Sequence, residues 1–133
     1  VTQTVSLPAG EGDHRKQEQL ARLADRRAVY VRRGRRALLL QLLAGATATA
    51  DDVRAAVQLP SDIDPRCLGA VPIALAEAGI IVRVDYTPSM RPERHASIIA
   101  VWCLADRAAA MAWLADNPDL PDPDLTPEPG YLF

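Results

Sequence analysis

Apolar positions along the chain first recur at helical spacing. Leu20, Leu23, Ala24 and Val31 fall on one face at about 100° per residue, and Asp13 suits an N-cap. Residues 1–12 carry Pro8, Gly10 and Gly12 without periodicity, and read as a flexible lead-in. Beyond Gly34 the pattern resumes with Leu38, Leu39, Leu42 and Leu43 and stops at Gly45. Gly34 either separates two helices or sits inside one, because an interior glycine costs only about 1 kcal/mol. Thr49-Ala50-Asp51-Asp52 then offers a hydroxyl N-cap with a carboxylate three residues on, a capping-box variant opening a short helix to about Val57. Leu59-Pro60 ends it.

Asp64-Pro65 opens a third helix, with Leu68, Val71, Leu75 and Ala78 inward and Gly79 as the stop. Pro72 should kink it at Val71, or else the regular part begins near Pro72 and Asp64–Ala70 is a separate turn; the kink is the expectation carried forward. After Gly79 the period changes to about 2: Ile80, Val82, Val84 and Tyr86 alternate with Ile81, Arg83 and Asp85, as a half-buried strand does. Thr87–Ala96 is loop, and Ser97–Leu104 is a second strand. Asp106 caps a last helix to Ala115 with Met111 and Leu114 inward, ended by Asn117-Pro118. The five prolines and further acids after it cannot bury enough surface to fold alone. The chain thus divides into a flexible segment (1–12), a basic helix (13–34), a domain (35–116) and an acidic, proline-rich tail (117–133).

The element order helix, short helix, helix, strand, long loop, strand resembles a winged helix-turn-helix over Arg36–Leu104. The resemblance is carried by Thr49-Ala50-Asp51-Asp52-Val53, by Leu75-Ala76-Glu77-Ala78-Gly79-Ile80-Ile81 and by Ile99-Ala100-Val101-Trp102. The expected fold is α+β, a mostly helical winged helix-turn-helix of bacterial or phage type with a two-stranded β-hairpin wing and a basic N-terminal helix. The resemblance implies double-stranded DNA as partner, with helix three in the major groove and the wing on an adjacent groove or backbone. Helix three would present Arg66, Ala70, Ile73 and Glu77 outward. Only Arg66 is a residue that direct base readout favours. Arg91 and Arg94, on a loop stiffened by Pro88 and Pro92, suit phosphates or a minor groove.

Charge strengthens this reading through its layout. The chain of 133 residues carries 15 basic and 17 acidic residues, a net −2. From His14 to Arg36, however, the net is +7, and from Ala105 to Phe133 it is −5. On a helix Arg15, Arg22, Arg26 and Arg33 lie within about 20° of one line, a basic stripe roughly 27 Å long. Arg32, Arg33, Arg35 and Arg36 crowd around Gly34 and call for an acidic neutraliser, which the tail from Asp116 to Glu128 can supply. The expected DNA contacts are Arg22, Arg26, Arg33, Arg35, Arg36, Arg66, Arg91 and Arg94. The expected role is regulatory or architectural, in transcription regulation or a related process. A homodimer suits paired half-sites.

Other classes find little support. No apolar run, Ala37–Leu40 included, approaches the roughly 20 residues a spanning helix needs, so no membrane partner is expected. Val1–Leu7 has no charged-then-apolar leader, and Cys67 and Cys103 make no disulfide framework, so a reducing cytoplasm is the expected location. A Gly-rich phosphate loop, a Cys/His cluster and a Gly-x-Ser-x-Gly elbow are all missing, so neither catalysis nor a metal or other cofactor is expected. Cys67, near the start of helix three, is placed for a thiol pKa lowered by the helix dipole, but no base accompanies it. The rival class is a protein-interaction adaptor of the same shape, docking through Ala70 and Ile73 or through the tail.

Overall fold

A computed structural model of the chain describes residues 2–122, with side chains from Arg15 onward. Helix α1 runs from Thr2 to Ala44, 43 residues and about 65 Å. It starts at Thr2 rather than at Asp13, so the expected lead-in is helical backbone; propagation from a long downstream helix outweighs isolated turn-formers. It also passes through Gly34 without a break. A β-carbon there would meet Val71 Cγ2 at 2.6 Å and Val53 Cγ1 at 3.2 Å, so Gly34 lets α1 lie nearer to Val53 and Val71 than a side chain would allow.

Strand β1 (Ala48–Thr49) leads directly into α2 (Ala50–Ala56). The Asp52 carboxylate reaches back to the Thr49 N–H at 2.8 Å and the Thr49 hydroxyl at 3.3 Å, the expected capping-box contact with Asp in the Glu position. Residues Pro65–Ala70 form a 3₁₀ turn capped by Asp64, whose carboxylate accepts from the Arg66 N–H at 2.9 Å. Helix α3 (Val71–Glu77) follows with Pro72 in its first turn. The expected kink at Val71 is therefore replaced by two separate elements. Pro72 has no N–H to lose at a helix start, and the first-turn position avoids the ring clash. Gly79, at φ 76°, turns the chain: its N–H donates to the Ala76 carbonyl and the Ile80 N–H to that of Leu75, both at 3.0 Å. Leu75 and Ile80 are buried, whereas Ala78, expected inward, is exposed.

Strands β2 (Ile81–Pro88) and β3 (Ile98–Leu104) form the expected hairpin. The sheet has three strands rather than two, in the order β1-β3-β2, all antiparallel, because Ala48 and Thr49 pair with Trp102 and Val101. A bulge between Arg83 and Asp85 lets Arg83 and Tyr86 share a face, and the guanidinium lies 4.9 Å from the Tyr86 ring centre. Helix α4 (Arg107–Asp116) is capped by Asp106, which accepts from the Ala109 N–H at 2.9 Å. It packs through fully buried Ala110 and half-buried Trp113 and Leu114; Met111, expected inward, is 57% exposed.

The core lies between α1, α2, α3 and the sheet. Leu38, Leu39 and Leu42 meet Val53, Val57, Leu68, Val71 and Leu75 there, closed by Ile63, Ile80 and Ile81. Tyr30, two per cent exposed, joins it from the upper part of α1. The chain is thus α+β, mostly helical, with one small sheet. Among the described residues no helix is long and apolar enough to cross a membrane.

Candidate nucleic-acid interface

The structure separates the eight arginines predicted to contact DNA into three groups. The first is braced inside the protein. Arg35 donates to the carbonyls of Val71 (3.2 Å) and Ala70 (3.0 Å), tying α1 to the junction of the 3₁₀ turn and α3. Arg36 donates to Leu114 (2.9 Å) and Asn117 (2.7 Å), the carbonyls at the end of α4. Burial pushes the Arg35 guanidinium below its ordinary pKa. Arg35 and Arg36, both half-buried, therefore brace the fold through backbone carbonyls.

The second group is ion-paired. Arg26 meets Asp62 bidentately, at 2.7 and 3.1 Å, which holds the α2–3₁₀ loop against α1. Hydrogen bonding to Asp62 raises the guanidinium pKa, and the same contact holds the carboxyl of Asp62 below its usual range. Arg33 pairs with Asp119 at 3.1 Å and with Asp122, and stacks over Tyr30 at 5.5 Å. The basic stripe of α1 is thus interrupted by carboxylates of the same chain at two of its four predicted positions. Arg22, on the same line, also makes an interaction within the protein.

The third group converges. Arg66 from the 3₁₀ turn and Arg91 and Arg94 from the loop between β2 and β3 line one groove, about 690 Å³ in volume, together with Arg54 from α2. Its floor is apolar, built from Leu68, Val71, Ile98, Ala100 and Trp102. The last three alternate along β3 and so share one face of the strand. Arg66 has a side chain 93% exposed, 3.6 Å from Asp64. Arg91 pairs with Glu93, which lowers the glutamate pKa after a larger effect of its own backbone N–H. Among the described residues the guanidiniums of Arg54 and Arg94 make no hydrogen bond or ion pair. Arg54 was not singled out from sequence. It sits in the last turn of a short helix, and only the fold brings it beside the loop.

The loop is held by a second residue that the sequence assigned elsewhere. Asp51, which lies within the Thr49–Asp52 helix-start signal, accepts from Ser89 Oγ and from the Met90 N–H, both at 2.7 Å. Ser89 is buried, and its hydroxyl oxygen in turn accepts from the Arg91 N–H at 3.2 Å. Below it the Ser89 N–H donates to the Ser97 carbonyl at 2.8 Å, closing the loop base. Asp51 thereby fixes the direction in which Arg91 and Arg94 leave the sheet. At the tip His95 and Ala96 both have positive φ, 50° and 59°, a conformation rare for side chains with a β-carbon.

Helix-three residues Arg66, Ala70, Ile73 and Glu77 are all exposed, as predicted, with Ile73 at 56%. Burial raises the Cys67 thiol above its ordinary value, the reverse of the predicted dipole effect, because it faces the core and not a helix N-terminus open to solvent. Among the described residues no three His, Cys, Asp or Glu side chains converge to hold a metal. The residues Tyr131, Leu132 and Phe133 and the tail acids Asp124 and Glu128 lie outside the described residues. Comparison with known protein families, with characterised proteins and with solved structures gives no match to this chain.

Proposed function

We propose that the chain is a winged-helix protein that binds double-stranded DNA without catalysing a reaction, and that it does so through the groove between the 3₁₀ turn, α2 and the β2–β3 loop. The observation that carries this reading is the convergence of Arg54, Arg66, Arg91 and Arg94, from three separate elements, on one open groove. Guanidiniums on a shared rim suit a backbone that carries a phosphate at regular spacing. The sheet order β1-β3-β2 and the sequence of elements from α1 to β3 support the winged-helix assignment. The role is regulatory or architectural, in the cytoplasm of a bacterium or in a phage setting. A homodimer fits the exposed upper part of α1, where Leu20 is 64% exposed.

The test is a titration of random duplex DNA at several salt concentrations. Four neutralised phosphates give a log–log slope of roughly −3.6. A slope near zero, or no binding at low salt, removes the reading. Asp51 supplies a sharper check, because two accounts of it predict opposite signs. If it were only a negative charge near DNA, Asp51→Asn would tighten binding. If Asp51 positions the loop, the same change should weaken binding about three- to tenfold, since the amide keeps one acceptor oxygen where the carboxylate uses two, for the Ser89 hydroxyl and the Met90 N–H. Ser89→Ala, which changes no charge, should act in the same direction.

Protein docking on α3 is the second reading, favoured by the exposure of Ile73 beside Ala70. It predicts that Ile73→Asp, and not the loss of arginines, is the damaging change.

A further inference from the structure

The segment after α4 crosses α1 in a defined way. Arg33 engages it with all three guanidinium nitrogens: Nε to Asp119 at 3.1 Å, Nη1 to Asp122, and Nη2 to the Leu120 carbonyl at 2.7 Å. Arg32 donates to the Pro118 carbonyl at 3.4 Å, and Arg36 to that of Asn117 at 2.7 Å. The Tyr30 ring backs the Arg33 guanidinium, and the cleft beside it, about 650 Å³, is lined by Leu40, Leu59 and Pro60. Residues 117–122 are thus fastened to α1 by the adjacent Arg32 and Arg33 and, about one turn on, by Arg36. Two of the fasteners are carboxylates that occupy the same N–H groups a phosphate would.

These carboxylates are exposed, Asp119 at 58% and Asp122 at 75% of the side chain, while the Arg33 side chain is at 23%. Each partner that can leave is therefore on the solvent side, and the cation stays fixed in its cleft. An exposed pair of this kind contributes little to stability and is screened by salt, so a dense row of phosphates can displace it. Arg32 and Arg33 lie on the same helix as Arg22 and Arg26, in the part of the chain with the highest positive charge density.

We propose that the Arg33 cleft is a second polyanion site, distinct from the wing groove, which the chain's own Asp119 and Asp122 fill until duplex DNA displaces them. The segment 117–122 acts as an internal competitor, and binding of DNA along α1 requires its release. This inference rests on the DNA-binding reading above.

The experiment compares the wild-type chain, Asp119→Asn/Asp122→Asn, and the same variant with Arg33→Ala, each titrated with a duplex at two salt concentrations and checked for folding by circular dichroism. Amide replacements keep the size of the segment while removing its charge. The expected result is binding about tenfold tighter at 0.1 M salt, a salt slope steeper by about one, and loss of both gains on adding Arg33→Ala. In the wild type, an aspartate-specific endoprotease should cut before Asp119 and Asp122 faster once duplex is added. Unchanged affinity in the amide variant overturns the inference, and so does a gain that survives Arg33→Ala, since that gain would come from net charge alone. Wild-type binding without any gain in the amide variant leaves the wing reading standing and removes only the competitor. Binding seen only in the amide variant, and lost with Arg33, supports the competitor and removes the wing groove. No binding by any of the three removes both.

Discussion

Gly34→Ala is expected to destabilise the protein by about 1–3 kcal/mol. At an ordinary helix-interior position the same change stabilises by about 1 kcal/mol, because alanine loses less backbone freedom on folding. The sign reverses here because the added methyl would stand 2.6 Å from Val71 Cγ2 and 3.2 Å from Val53 Cγ1. Val71 is one per cent exposed and among the largest fully buried side chains, so it has no room to turn away. Relief requires α1 to move off α2 and α3, which loosens the contacts of Leu38 and Leu68 on either side. Thermal unfolding followed by circular dichroism should show a midpoint lower by several degrees, at roughly 4–8 °C per kcal/mol for a domain of this size. Gly45→Ala is the control: its nearest contact is a backbone oxygen at 3.4 Å, an ordinary approach, and it should cost much less. A Gly34 variant as stable as the wild type would mean that the close helix crossing is not present in solution.

This glycine also marks the boundary of what the sequence could tell. A glycine inside a helical pattern has two local meanings, a break or a tolerated interior position, and nothing within a few residues decides between them. The deciding contact is with Val71 and Val53, far along the chain. Signals complete within four or five residues were legible: the Thr49–Asp52 cap, the Asp106 cap and the Gly79 turn. The alternation after it located β2 but not the expected half-buried face, since Val82, Val84 and Tyr86 are 45%, 53% and 55% exposed. Strand β1 was not, because two residues carry no periodicity and become a strand only by pairing with Trp102 and Val101. The Pro65–Ala70 turn and α3 merged into one predicted helix, since 3₁₀ and α spacing differ little over six residues.

The candidate site follows the same division. The charge of α1 was plain, but the destination of each guanidinium was not. Arg35 and Arg36 look from sequence like members of a surface cluster, whereas their partners are carbonyls of residues 70, 71, 114 and 117. An acidic neutraliser for this cluster was expected in the tail, and Asp119 and Asp122 do meet Arg33. Arg66, Arg91 and Arg94 were named from separate elements, and only the winged-helix resemblance, no local pattern, placed them on one DNA-facing side. Arg54, the fourth member, carried no local signal at all.

The groove also sets the largest expected effect on binding. Arg66→Ala/Arg94→Ala should lower affinity for random duplex DNA about 50-fold at 0.1 M salt and reduce the log–log salt slope by about two, each phosphate contact contributing roughly 0.9 to it. The two residues are chosen because neither holds the fold together. Arg66 is 93% exposed with Asp64 at 3.6 Å, and Arg94 has no side-chain partner among the described residues. Their removal should leave the unfolding midpoint within a degree or two, which separates a lost contact from a lost fold. The matching pair Arg35→Ala/Arg36→Ala predicts the reverse pattern. Four backbone carbonyls lose their donors, stability falls, and the salt slope of whatever remains folded is unchanged. If instead the Arg35/Arg36 pair flattens the slope while Arg66 and Arg94 are silent, the polyanion surface lies along α1 and the wing groove has another use.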